Sequence, residues 1–163
     1  MKRSILFVLL SVIVVVLDQV SKFLILNNFQ YAERLNVIPN FFDLTLVFNP
    51  GAAFSFLSNQ NGWQKYFFTV LAVLVSFYLI YAVFKKQFGS LGSIGAMMIV
   101  GGAVGNVIDR FIHGQVVDFL LFYLGNHYYP AFNVADSFIC VGAGLILLEG
   151  FKKKDKYQED EEL

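Results

Sequence analysis

Cysteine is almost missing from this chain of 163 residues; Cys140 stands alone. A single thiol excludes an intrachain disulfide framework and a thiolate metal cluster. It lies inside an apolar run, where a buried cysteine is inert as a nucleophile. Histidine is nearly as scarce. His113 and His127 are the only two, neither stands in a spacing such as His-Glu-x-x-His, and both read as interfacial surface residues. Charged residues make up 15% of the chain, against ~25% in a soluble domain. The net charge is zero, so no global field points to nucleic acid. There is no P-loop, no dinucleotide-binding glycine fingerprint, no Gly-x-Ser-x-Gly elbow and no internal repeat. Neither a metal nor an organic cofactor is expected.

What the chain has instead is hydrocarbon: 57% of its residues are hydrophobic. They gather in runs near ~20 residues, the length that crosses a bilayer core. Four spans are predicted, at about 4–26, 66–84, 91–112 and 134–151. The first follows Lys2 and Arg3 as a signal peptide would, but no small-residue cleavage site follows it and Asp18, Lys22 and Phe23 to Leu26 continue it. It reads as an uncleaved spanning helix. Residues 1–151 form one integral-membrane domain. Residues 152–163 form a charged cytoplasmic tail, with Asp155 to Leu163 expected to be disordered.

Lys2, Arg3, Lys85, Lys86, Lys152, Lys153, Lys154 and Lys156 fall on one side of a four-span layout; Arg34, Lys65 and Arg110 fall on the other. That bias places both termini in the cytoplasm. Two outer segments remain. Leu44 to Phe48 alternates and is rich in β-branched and aromatic residues, which predicts a short strand or hairpin. Gly114 to Phe132 is aromatic, too short to span, and suited to the bilayer interface.

Ionisable groups within spans cost several kcal/mol unless paired, so each needs a reason. Asp18, Ser21 and Lys22 share one helix face at i, i+3 and i+4. A local ion pair explains them, and such a pair can also buttress a site. Asn106, Asp109 and Arg110 repeat the spacing on the third span. Gly101 and Gly105, with Gly102 and Ala103, read as helix–helix contact, but three polar residues on one face need partners elsewhere. Asp118 follows the third span. Asp136 begins the fourth, where Asn133 can cap the helix and the dipole favours a carboxylate. Each aspartate alone has an ordinary structural explanation. Together, in a site of low dielectric, they cannot both ionise easily. One can then take a proton from water while the other donates to a carbonyl oxygen, which hydrolyses a peptide without a covalent intermediate. Both should face the extracytoplasmic side.

Five motifs in this order resemble one family: Asp18-Gln19-Val20-Ser21-Lys22; Asn49-Pro50-Gly51-Ala52-Ala53-Phe54; Gly101 to Arg110; Val117-Asp118-Phe119; and Phe132-Asn133-Val134-Ala135-Asp136-Ser137. The chain is similar, from about Leu6 to Gly150, to the bacterial prolipoprotein signal peptidases, or signal peptidase type II. The resemblance implies an all-α membrane protein: four transmembrane helices with a small extracytoplasmic β-cradle and an interfacial helical segment. It implies Asp118 and Asp136 as the catalytic dyad of an aspartic endopeptidase. Asn49, Gly51, Arg110, Asn133 and Ala135 would contact substrate or inhibitor, while Asp18, Lys22, Gly105, Asn106 and Asp109 would support the site. The implied substrate is a prolipoprotein cut before its diacylglyceryl-modified cysteine in the bacterial inner membrane. Membrane lipid would be a partner and globomycin an inhibitor. The alternatives are a small proton- or ion-coupled transporter subunit, which would favour repeats and mid-membrane carboxylates, and a non-catalytic assembly protein held by its glycine faces.

Overall fold

A backbone in hydrocarbon must satisfy its own N–H and C=O groups, so apolar runs of this length fold as helices. A computed structural model describes residues 2–51 and 63–161, with side chains placed for 5–51 and 63–152. The helices are α1 (Lys2–Asn28), α2 (Trp63–Phe84), α3 (Ser90–Ile112) and α4 (Val134–Glu161). Each contains a stretch long and apolar enough to cross a membrane. The segment from Asp155, expected to be disordered, continues α4 as helix to Glu161. It holds neither glycine nor proline, and its Lys, Glu and Gln residues favour a helix outside the membrane too.

α3 is the central helix and packs against the other three. Of its spanning window 67% is buried, against 22% for α1 and α2 and 11% for α4. Small residues allow that approach. A β-carbon at Gly101 would meet Val14 and the Ser11 carbonyl of α1, and one at Gly102 would meet the Ala135 carbonyl of α4. Leu79, Val83, Ala96, Met97 and Val100 form the core between α2 and α3. The start of α3 has no side-chain cap from its own N-cap residue. Glu149 of α4 reaches across instead and accepts hydrogen bonds from the Gly89 and Gly92 N–H groups at 2.7 Å each. A carboxylate suits a helix N-terminus.

Four strands, β1 (Arg34–Ile38), β2 (Phe42–Asn49), β3 (Val116–Leu124) and β4 (His127–Tyr128), lie at the other end of the bundle. They form an antiparallel sheet in chain order. Leu46, Val117 and Phe119 pack with Ile25 near the end of α1, which seats the sheet on the helices. The strand predicted over Leu44 to Phe48 is the middle of β2. The aromatic segment Gly114 to Phe132 holds strands, β3 and β4, and not the interfacial helical segment that the resemblance implies; residues 52–62 lie outside the described residues. Phe119 and Leu120 donate their N–H groups to the Phe132 carbonyl at 3.0 and 2.8 Å, and Gly125, at φ +58°, turns the chain between Leu124 and His127. The β2–β3 register places Val47 opposite Asp118 and Asn49 opposite Val116, beyond an irregularity that follows Leu44. Side chains two residues apart share a strand face, so Asn49 and Asp118 point to the same side.

Candidate active site

Asn133 caps α4 as its sequence position suggests. Its side-chain Oδ1 accepts from the Asp136 N–H at 2.9 Å, and Asp136 Oδ2 accepts from the Asn133 N–H at 3.2 Å. This reciprocal pair is a capping box in which Asn and Asp take the usual Ser/Thr and Glu places. It holds the Asp136 carboxylate at the first turn, and Asn106 Nδ2 donates to its other oxygen at 2.8 Å.

Asp118 arrives from β3 and is 1% exposed. Asn49 Nδ2 donates to one of its oxygens at 2.9 Å, and Asn133 Nδ2 to the other at 2.7 Å. Asn133 therefore touches both carboxylates, one through its side chain and one through its backbone. Burial pushes the Asp118 carboxyl up to about 7, the negative charge of Asp136 pushes the same way, and the hydrogen bonds from Asn49 and Asn133 oppose them.

Behind the pair lies a second pair, Asp18 and Asp109, bridged by Lys22 at 2.8 Å to each. The Lys22 ammonium also donates to Asn106 Oδ1 at 3.0 Å. An ammonium only donates, so it turns the Asn106 carbonyl toward itself and leaves the Asn106 NH₂ facing Asp136. Asn133 Nδ2 reaches the same Asn106 oxygen at 3.1 Å. Lys22 thus sets the polarity of the amides that hold the site. Asp109 Oδ2 accepts from the Val117 N–H at 3.0 Å, which ties β3 to α3, and Asp18 Oδ1 accepts from the Ala135 N–H at 2.9 Å, which ties α4 to α1. A β-carbon at Gly105 would run into the Asp18 carboxylate.

Every predicted site residue with a described side chain belongs to this assembly or its rim. Ala135, expected to meet substrate, is fully buried and spends its N–H on Asp18. Gly51 donates its N–H to Asn49 Oδ1 at 2.9 Å, and its φ of +102° suits glycine. Arg110 stands at the edge. Its Nη1 donates to the Asn106 carbonyl at 3.2 Å, its guanidinium lies 5.8 Å from the Phe68 ring centre, and its Nε is the only buried side-chain polar atom without a partner among the described residues. Ala52, Ala53 and Phe54 of the second motif lie outside the described residues. Ser21 does not join, since its hydroxyl donates to the Asp18 carbonyl of its own helix at 2.7 Å. Gln19 was missed; its Nε2 donates to Asp109 at 3.0 Å and to the Gly105 carbonyl at 3.2 Å. Its place inside the first motif was the available signal. Cys140, read as buried, is exposed, because α4 packs on one face only. Among the described residues no group of three His, Cys, Asp or Glu side chains is placed to hold a metal.

The fold is that of a bacterial membrane enzyme. A solved structure described in those words, determined by the in meso method at 2.3 Å resolution, matches with a TM-score of 0.81 at 32% identity, covering 92% of this chain and 90% of the other. A family model for signal peptidase (SPase) II matches residues 10–152. The lipoprotein signal peptidase of Neisseria gonorrhoeae is 68% identical over 140 residues, 86% of this chain and 85% of that one. The protein of the same name from Chromobacterium violaceum is 51% identical over 148 residues, 90% and 91% of the two chains. The chain belongs to the signal peptidase II family. It is a multi-pass membrane peptidase, which leaves the transporter and assembly alternatives without support.

Proposed function

We propose that the protein removes the signal peptide of prolipoproteins by cutting directly before a diacylglyceryl-modified cysteine, with Asp118 and Asp136 acting on a water. The observation that carries this reading is the meeting of two carboxylates from separate elements on the single residue Asn133. Asp118, whose carboxyl is raised to about 7, keeps the proton and donates it to the scissile carbonyl oxygen. Asp136 accepts a proton from the attacking water and returns it to the leaving amine as the C–N bond breaks, while a hydroxyl of the tetrahedral diol gives its proton back to Asp118, so both carboxyls are regenerated without a covalent intermediate. The Arg110 Nε–H, without a described partner, holds a substrate carbonyl.

The lysine and arginine bias puts both termini in the cytoplasm and the sheet with its aspartates on the extracytoplasmic side of the plasma membrane. There water is at hand while the substrate's acyl chains stay in lipid. Globomycin-like cyclic peptides would compete for the same surface. The deciding experiment replaces Asp118 and Asp136 singly with Asn and supplies each purified protein with a lipidated prolipoprotein. Near-complete loss of cleavage in both is expected, and normal cleavage by either overturns the reading. Cleavage should also survive a chelator; loss that added metal restores would contradict it.

A further inference from the structure

A cavity of about 620 Å³ borders Asp136, lined by Phe122, Tyr129, Phe132, Asp136, Ser137 and Cys140. Its wall is aromatic. Phe122 stacks on Phe132 with ring centres 5.8 Å apart, and Tyr129 meets Phe132 edge-on at 5.9 Å. The polar atoms sit at one end. Asp136 is held by its capping box, and the Ser137 hydroxyl donates to the Asn133 carbonyl at 3.0 Å. Cys140 lies one helical turn further along α4 and is exposed. Beyond it the face stays open: nothing lies within 4 Å of a β-carbon built on Gly144, and Leu147 and Leu148 are exposed. The cavity therefore begins at a carboxylate and ends at Cys140, where an apolar, exposed stretch of α4 continues.

Size decides between the apolar parts a lipid-bearing substrate could place there. A peptide helix is about 10–12 Å wide with a rise of about 5.4 Å per turn, so roughly one turn would fill the space. A hydrocarbon chain enters with room to spare and follows the α4 face outward. We propose that this cavity is an acyl-chain subsite that receives one chain of the lipid on the substrate cysteine, with Cys140 in its wall. The inference rests on the prolipoprotein reading given above.

The test uses the full chain in lipid nanodiscs and two synthetic prolipopeptides of identical sequence, one with long-chain and one with acetyl diacylglyceryl cysteine. Cys140→Trp narrows the cavity. It should lower kcat/KM on the long-chain substrate about tenfold, the loss expected when roughly two methylene groups are kept from burial. The short-chain substrate should be cut at the wild-type rate, which also shows that the variant folds. Cys140→Ala should match wild type on both. Cys140 is the only thiol, so N-ethylmaleimide marks it uniquely: the sulfur bonds to one alkene carbon and the other takes up a proton. Alkylation of the folded wild-type protein should reproduce the chain-length-dependent loss. Equal loss on both substrates, or no loss after complete alkylation, overturns the subsite. Failure of the underlying reading shows separately, as normal cleavage by Asp136→Asn.

Discussion

Two pairs of aspartates lie side by side in this protein and keep opposite company; Asp18, Asp109 and Asp118 are buried and Asp136 is half-buried. Asp18 and Asp109 share Lys22 at 2.8 Å each, so the ammonium offsets their charge within the cluster. Among the described residues, Asp118 and Asp136 accept hydrogen bonds from side-chain amides and a backbone N–H. Neutral donors stabilise a carboxylate less than a cation does, and burial with the charge of Asp136 raises the Asp118 carboxyl to about 7. The residue type is the same; the difference between scaffold and candidate catalyst is the countercharge. Lys22 serves both pairs, neutralising one and orienting through Asn106 the amides of the other.

That contrast can be broken from either side. The largest effect is expected for Asp118→Asn, which should slow turnover about 10³-fold or more, in the range of general acid–base catalysis. Stability should fall by only about 1–2 kcal/mol, since one amide partner loses an acceptor. Single-turnover cleavage and thermal unfolding of the same preparation measure both. Lys22→Met should reverse the pattern. It leaves two buried carboxylates without their cation, at a cost of about 3–5 kcal/mol, and unfolding at wild-type temperature would contradict the scaffold role. Gly105→Ala presses on Asp18 and should cost about 1–3 kcal/mol by overpacking, again seen in thermal unfolding.

The finest test concerns pH. With the protonated Asp118 as acid, kcat/KM should decline as pH rises through about 7. The hydrogen bond from Asn49 favours the ionised form and so holds that pKa down. Asn49→Ala removes it and should move the alkaline limb to higher pH. A shift in the other direction would show that Asn49 does not bear on the Asp118 proton.

How far the sequence predicts the molecule varies by element. The helices follow the apolar runs because hydropathy over ~20 residues is a strong signal. β2 shows itself in the alternation of Leu44 to Phe48. β3 does not, because Val116, Val117, Asp118 and Phe119 are all buried; a strand covered on both faces loses its two-residue period and reads as an apolar run. Asn106 and Asp109 announce a need for partners but not which ones. Gln19 lies off the i, i+3, i+4 face of Asp18 and Lys22, so helical spacing passed over it. The exposure of Cys140 is not legible in sequence, because an apolar run looks the same whether it faces protein or lipid.

Amino-acid order by itself determined the number of spans, the small-residue face of α3 and the placing of carboxylates next to the ends of spans. Those depend on local hydrophobicity, charge and side-chain size, which any window of the chain carries. Only the tertiary structure decided which aspartates receive a cation and which receive amides. Coulombic and hydrogen-bond energies depend on distances of a few ångström. Here the β2–β3 register, the α4 cap and the close approach of α3 to α1 and α4 set those distances between residues far apart in the chain.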